Sequence, residues 1–135
     1  MEKILFVDSY LPLLDLYIEE FTEEGYDVIV ARNGKEALRK YMEKFPQLVV
    51  VDLHLPDMDG MELLNSFLSA NPHVLIICYK DFPQEDLRTW GVAETIKSSN
   101  FSRLKNKVRE VILNSGNGNN KKAPQLSHNI NLGIP

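Results

Sequence analysis

Short runs of apolar, β-branched residues alternate along this chain with longer stretches in which apolar positions recur every three or four residues. That is the pattern of parallel strands joined by crossover helices. The runs predict strands at Ile4–Val7, Val28–Ala31, Leu48–Val51, Val74–Cys78 and Val92–Ile96. The first, third and fourth are continuously apolar, which implies burial on both faces, whereas the second and fifth are shorter or more mixed, as edge strands tend to be. The expected fold class is α/β: a five-stranded parallel sheet with helices on both faces.

The intervening segments predict the helices. Leu14, Tyr17, Ile18 and Phe21 stripe the first, which closes at Gly25 and carries Asp15, Glu19, Glu20 and Glu23 on its opposite side. Asn33-Gly34 offers a turn and an N-cap for a second helix along Ala37, Leu38, Tyr41 and Met42, which stops before Pro46. Met61, Leu64 and Leu68 mark a third, ending before Pro72, and Pro83 to Trp90 a short fourth. Phe101, Leu104, Val108 and Ile112 stripe a fifth. Beyond Asn114 the chain turns to Asn, Gly and Lys with little apolar content, so one domain is expected over residues 1–114 and a flexible tail over 115–135.

Charge narrows the function classes. The 135 residues hold 15 basic and 19 acidic side chains, a net of −4. Both tail charges are lysines, which leaves residues 1–114 at a net of −6. That sign argues against direct nucleic-acid binding. No apolar run is long enough to cross a bilayer. Cys78 is alone and forms no internal disulfide, and Met1-Glu2-Lys3-Ile4 lacks the order of a signal peptide, so the expected compartment is the reducing cytoplasm.

In an open parallel sheet, ligands bind beyond the carboxyl ends of the strands. The residues at those ends are Asp8, Asp52, Cys78 and Lys97. Carboxylate oxygens suit Mg²⁺, and a lysine binds phosphate as a point charge, so two carboxylates and an ammonium converging there suit a divalent cation and a phosphoryl group. Asp8 alone reads equally well as a turn former. Asp52 stands out because it opens the run Asp52-Leu53-His54-Leu55-Pro56-Asp57-Met58-Asp59-Gly60 directly after an apolar strand.

That run, with Val51 before it, resembles the phosphoacceptor segment of bacterial response-regulator receiver domains. Lys3-Ile4-Leu5-Phe6-Val7-Asp8 resembles the family's first strand and acidic corner, Asn33 to Leu38 its second helix start, and Ile96-Lys97 its lysine-bearing fifth strand. The likeness covers roughly residues 2 to 114. It implies a flavodoxin-like receiver fold with strand order 2-1-3-4-5, and a signalling switch rather than an enzyme. Asp52 would accept a phosphoryl group from a histidine kinase or histidine phosphotransfer protein. Asp8, Asp52 and the backbone carbonyl of His54 would hold Mg²⁺, and Lys97 would pair with the phosphoryl oxygens. Output would pass to a downstream protein by direct contact.

Four positions depart from the family pattern. Ser9 stands where a second acid supplies a metal ligand, which removes a negative charge and implies weak Mg²⁺ binding. Cys78 stands at the switch position that usually carries a hydroxyl, and a thiol is a poor hydrogen-bond donor. Bulky Tyr79 follows it and is expected to narrow access to the pocket. Ser98 stands where proline follows the lysine.

Two other readings stay open. A pseudo-receiver would keep the fold as a phosphorylation-independent interaction module, which the four departures favour and the retained Asp8, Asp52 and Lys97 oppose. A small Mg²⁺-dependent phosphohydrolase needs an acid two residues past the nucleophile, where His54 stands, but the chain offers no cap segment. The tail reading has its own test: removing residues 116–135 should leave the melting temperature nearly unchanged, and a large drop in calorimetry would show that the tail packs on the domain.

Overall fold

The computed structural model describes residues 1–79, 94–96 and 100–116. The described elements are β1 (Lys3–Val7), α1 (Leu11–Glu23), β2 (Asp27–Ala31), α2 (Gly34–Lys44), β3 (Leu48–Val51), α3 (Gly60–Ala70), β4 (Leu75–Tyr79), β5 (Glu94–Ile96) and α4 (Phe101–Gly116). The strands form one parallel sheet in the order β2-β1-β3-β4-β5. The mixed second and fifth strands are the two edges, as their composition predicts. The helix α4 is the fifth helix of the sequence reading and runs two residues past its expected end at Asn114. The short helix expected at Pro83 to Trp90 lies outside the described residues.

The sheet is buried on both faces because its central strands are apolar at every position but Lys3, where β1 begins. Leu5, Val7, Val49, Val51, Ile76 and Cys78 face one layer with α2 and α3 residues, while Ile4, Phe6, Leu48, Val50, Ile77 and Tyr79 face the other with α1 and α4 residues. This is the two-fold alternation of a strand applied to both sides of a sheet. In the second layer the Phe6 and Tyr17 rings stack with centroids 4.3 Å apart.

The helix stripes differ from the sequence reading in detail. On α1 only Leu14, Tyr17 and Phe21 are buried, and Ile18 is 43% exposed because the sheet meets a narrower stripe than its spacing suggested. On the acidic side Glu20 meets Lys105 at 2.8 Å, and just past the helix end Glu24 meets Arg109 at 3.0 Å, tying α1 to α4. On α3 the buried stripe is Leu63, Leu64 and Phe67: Leu64 holds its expected place, while Leu63 and Phe67 are buried instead of Met61 and Leu68, which are half-buried. Phe67 takes the deep place because its ring meets that of Tyr41, whose hydroxyl donates to the Phe67 carbonyl at 3.0 Å.

The start of α2 matches its prediction, with the Asn33 side chain accepting from the Glu36 N–H. Its end carries strain, since Phe45 adopts a left-handed conformation at φ 51 while 75% exposed. A side chain costs roughly 1–2 kcal/mol in that region, which glycine avoids. Phe45→Gly should therefore raise the unfolding free energy by about 1 kcal/mol in urea denaturation, and a loss of stability would show that the exposed ring packs better than its exposure implies.

Candidate functional site

Strand pairing brings the two candidate carboxylates together. Val7 pairs with Val51 across β1 and β3, and the ladder continues one residue further, with the Asp52 N–H donating to the Val7 carbonyl at 3.0 Å and the Asp8 N–H to the Ala31 carbonyl at 3.1 Å. Asp8 and Asp52 therefore stand side by side on adjacent strands, roughly 4.8 Å apart along the hydrogen-bonding direction. They are the buried acids among the described residues, at 0% and 8% exposure.

Each closes a local turn. Asp8 Oδ1 accepts from the Tyr10 N–H at 2.9 Å, and Asp52 Oδ1 accepts from the His54 N–H at 3.0 Å. The turn-forming role and the site role thus coexist in Asp8, because a carboxylate has acceptor capacity left after one backbone bond.

The loop after Asp52 is held from several sides. Asp57 accepts from the backbone N–H groups of Gly34 at 2.8 Å and Lys35 at 2.9 Å, so the first turn of α2 rests on this loop. Any side chain at Gly34 would collide with Met58, and one at Gly60 would collide with Leu53, including its backbone. Asp59 caps α3 by accepting from the Met61 N–H at 3.1 Å. The Asp57 anchor was not visible in the sequence because its partners lie on a distant helix, and no local spacing connects them.

The remaining predicted positions divide. His54 is exposed, and Ser9 is exposed beside the acidic corner. Cys78 is fully buried, and burial, then the charge of Asp52, push its thiol up to about 12, so it is a small core residue and not a reactive thiolate. Tyr79 is 1% exposed and packs in the α1 layer, so its bulk lies in the core and does not stand across the pocket mouth as expected. Lys97 and Ser98 lie outside the described residues.

Two adjacent buried carboxylates are suitable hard oxygen ligands, but among the described residues no group of three or more His, Cys, Asp or Glu side chains converges. The site fits Mg²⁺ with one acid fewer than a three-carboxylate pocket, in keeping with Ser9. Among the described residues, no helix is long and apolar enough to cross a membrane.

The model for the response regulator receiver domain matches residues 4–94. The chain belongs to this family. It is 34% identical over 86 residues to sporulation initiation phosphotransferase F of Bacillus subtilis, covering 64% of this chain and 69% of that protein. It is 30% identical over 98 residues to the chemotaxis protein CheY of Thermotoga maritima, covering 72% and 78%. Of the transcriptional regulatory proteins YesN and PhoP of Bacillus subtilis it spans only 38% and 26%. Among solved structures, the response regulator TrrA of Thermotoga maritima in complex with Mg²⁺-BeF shares 34% identity at a TM-score of 0.72, over 82% of this chain and 98% of that one. The same regulator in complex with the histidine kinase ThkA gives a TM-score of 0.71 at 34% identity, over 82% and 97%. The expected family and its flavodoxin-like fold are thereby established for this receiver domain.

The Asp57 anchor generates a pH dependence. Its bonds to the Gly34 and Lys35 N–H groups hold the Asp57 carboxyl below its ordinary value of 3.8. A depressed carboxylate contributes stability that is present above its unfolded pKa and lost as pH falls through the folded one. Asp57→Ala should therefore be less stable than the native chain at pH 7, with the difference shrinking below about pH 4 in thermal melts. A difference that stays constant down to pH 2 would refute the anchor.

Proposed function

We propose that this receiver takes a phosphoryl group onto the Asp52 carboxylate from the phosphohistidine of a histidine kinase or histidine phosphotransfer protein, and signals to a downstream protein by direct contact. The observation that carries the reading is the burial of Asp8 and Asp52 side by side at the carboxyl ends of β1 and β3. In the transfer, an Asp52 oxygen forms the new O–P bond while the P–N bond to the donor imidazole breaks, and the electron pair leaves with the imidazole nitrogen. A carboxylate is a usable nucleophile for this step, and the charge on the three phosphoryl oxygens needs fixed positive partners.

Mg²⁺ would supply part of that charge when bound, held by Asp8, Asp52 and the His54 backbone carbonyl, and Lys97 would pair with the phosphoryl oxygens. The Mg²⁺-BeF complex of TrrA, 34% identical to this chain, supports the metal part of the reading. The complex of the same relative with its histidine kinase supports the class of partner. Ser9 adds no charge, so Mg²⁺ binding is weak in this reading. Buried Cys78 at the switch position makes a poor donor to an incoming phosphoryl group, which alters how the modified state spreads along β4. A receiver body over residues 1–114, a separate tail over 115–135, a cytoplasmic location, and no direct contact with nucleic acid or membrane complete the proposal.

The missing third acid favours one second reading, a pseudo-receiver that binds its partner without phosphorylation. Intact-mass spectrometry after incubation with acetyl phosphate and Mg²⁺ separates the two. A phosphate adduct on the native chain that is absent from Asp52→Asn is the expected result. No adduct on the native chain, with one appearing on Ser9→Asp, would overturn the proposal in favour of the pseudo-receiver.

A further inference from the structure

The β2 edge of the sheet is met by side chains where another strand would lie. Among the described residues β2 pairs only with β1. The Asp27 N–H donates to the Glu2 carbonyl, and the Ala31 carbonyl accepts from the Asp8 N–H, so the backbone groups of Asp27, Ile29 and Ala31 turn toward β1. Successive residues of a strand direct their backbone groups to opposite sides, so those of Val28, Val30 and the following Arg32 point away from the sheet.

Two of those outward groups are taken by α2. The Lys40 ammonium donates to the Val30 carbonyl at 2.6 Å, and the Arg32 N–H donates to Glu36 Oε1 at 2.7 Å. Glu36 and Lys40 lie one turn apart on α2 and meet each other at 3.6 Å. The bond from the Arg32 N–H holds the Glu36 carboxyl below its ordinary value, which keeps it an anionic acceptor. A neighbouring strand would bring one N–H to the Val30 carbonyl and one C=O to the Arg32 N–H. Lys40 and Glu36 supply the same donor and the same acceptor from a helix. A lysine loses rotamer freedom by folding back onto a carbonyl, and the short charge-assisted bond offsets that cost.

We infer that the β2 edge is a pairing surface for a second copy of this chain, and that Glu36 and Lys40 plug it. Val28, Ile29 and Val30 are β-branched and only half-buried, which suits them to strand pairing. An open edge is its own complement, because the same strand of another copy can pair with it antiparallel about a two-fold axis. Such pairing would bring the Lys40 ammonium groups of both copies to one seam, so the plug works by repulsion as well as by occupying the bonds. The inference is independent of whether Asp52 takes a phosphoryl group.

The test compares the full native chain with Lys40→Met, which keeps an apolar stem and cannot donate, by sedimentation velocity and amide hydrogen exchange over a range of concentrations. The native chain is expected to keep its Arg32 amide protected and its Val28 and Val30 amides open throughout. Lys40→Met should sediment as a dimer, with exchange at Val28 and Val30 slowed by about tenfold as concentration rises, the scale of one added hydrogen bond. Lys40→Arg keeps the charge and the donor and should behave as the native chain, while Lys40→Gln gives the same reading as Lys40→Met should that variant fold poorly. A charge-free variant that stays monomeric with Val28 and Val30 unprotected would overturn the inference. So would a dimer in which those amides remain open, since it pairs elsewhere, or protection without a change of mass, since the occupant is then a segment of the same chain. A native chain that already pairs through this edge would refute the plug.

Discussion

The register between β1 and β3 is the constraint on which the rest depends. Ile4 to Val7 pair one for one with Leu48 to Val51, and Asp8 and Asp52 follow those runs immediately. A slip of one residue in either strand would turn its apolar set to the wrong layer and separate the carboxylates together. Because both strands are buried on both faces, the core that stabilises the domain also enforces the register. Core packing and site geometry are therefore one requirement on the sequence, and the site needs no dedicated scaffold of its own.

What the strands align, the following loop fastens. Between Asp52 and Gly60 the backbone is held by Asp52 on the His54 N–H, by Asp57 on the start of α2 and by Asp59 on the start of α3. The absence of a side chain at Gly60 lets α3 approach Leu53 closely. The loop after Asp52 is thus tied to the first turns of two helices. A shift in the backbone at Asp52 would act on these bonds, in each of which a backbone N–H donates to a carboxylate.

The sheet, its edges and the acidic corner were legible in the sequence because each rests on local signals: unbroken apolar runs for central strands, mixed runs for edges, and acids directly after a run. The Asn33 cap was legible for the same reason, since its partner is three residues away. The exact stripe of α3 was not, because Phe67 is drawn inward by Tyr41 on another helix. Nor was the place of Tyr79, whose bulk suggested a blocked pocket but lies in the core. Asp57 lay wholly beyond sequence reasoning, since its bonds run to a helix start 22 and 23 residues earlier.

Ser9 then takes on a physical meaning beyond a missing ligand. Two carboxylates roughly 5 Å apart repel by about 3 kcal/mol at an effective dielectric near 20, and a third acid in the same corner would add pairs at similar distance. A pocket built on three acids tolerates this only while a cation neutralises it. With Ser9 in that corner and Asp8 buried completely, the proposed pocket would carry less repulsion when empty and give up cation affinity in exchange. On the proposed reading such a pocket would depend less on a bound metal for its folded geometry than a three-acid pocket, and would respond less when the metal arrives.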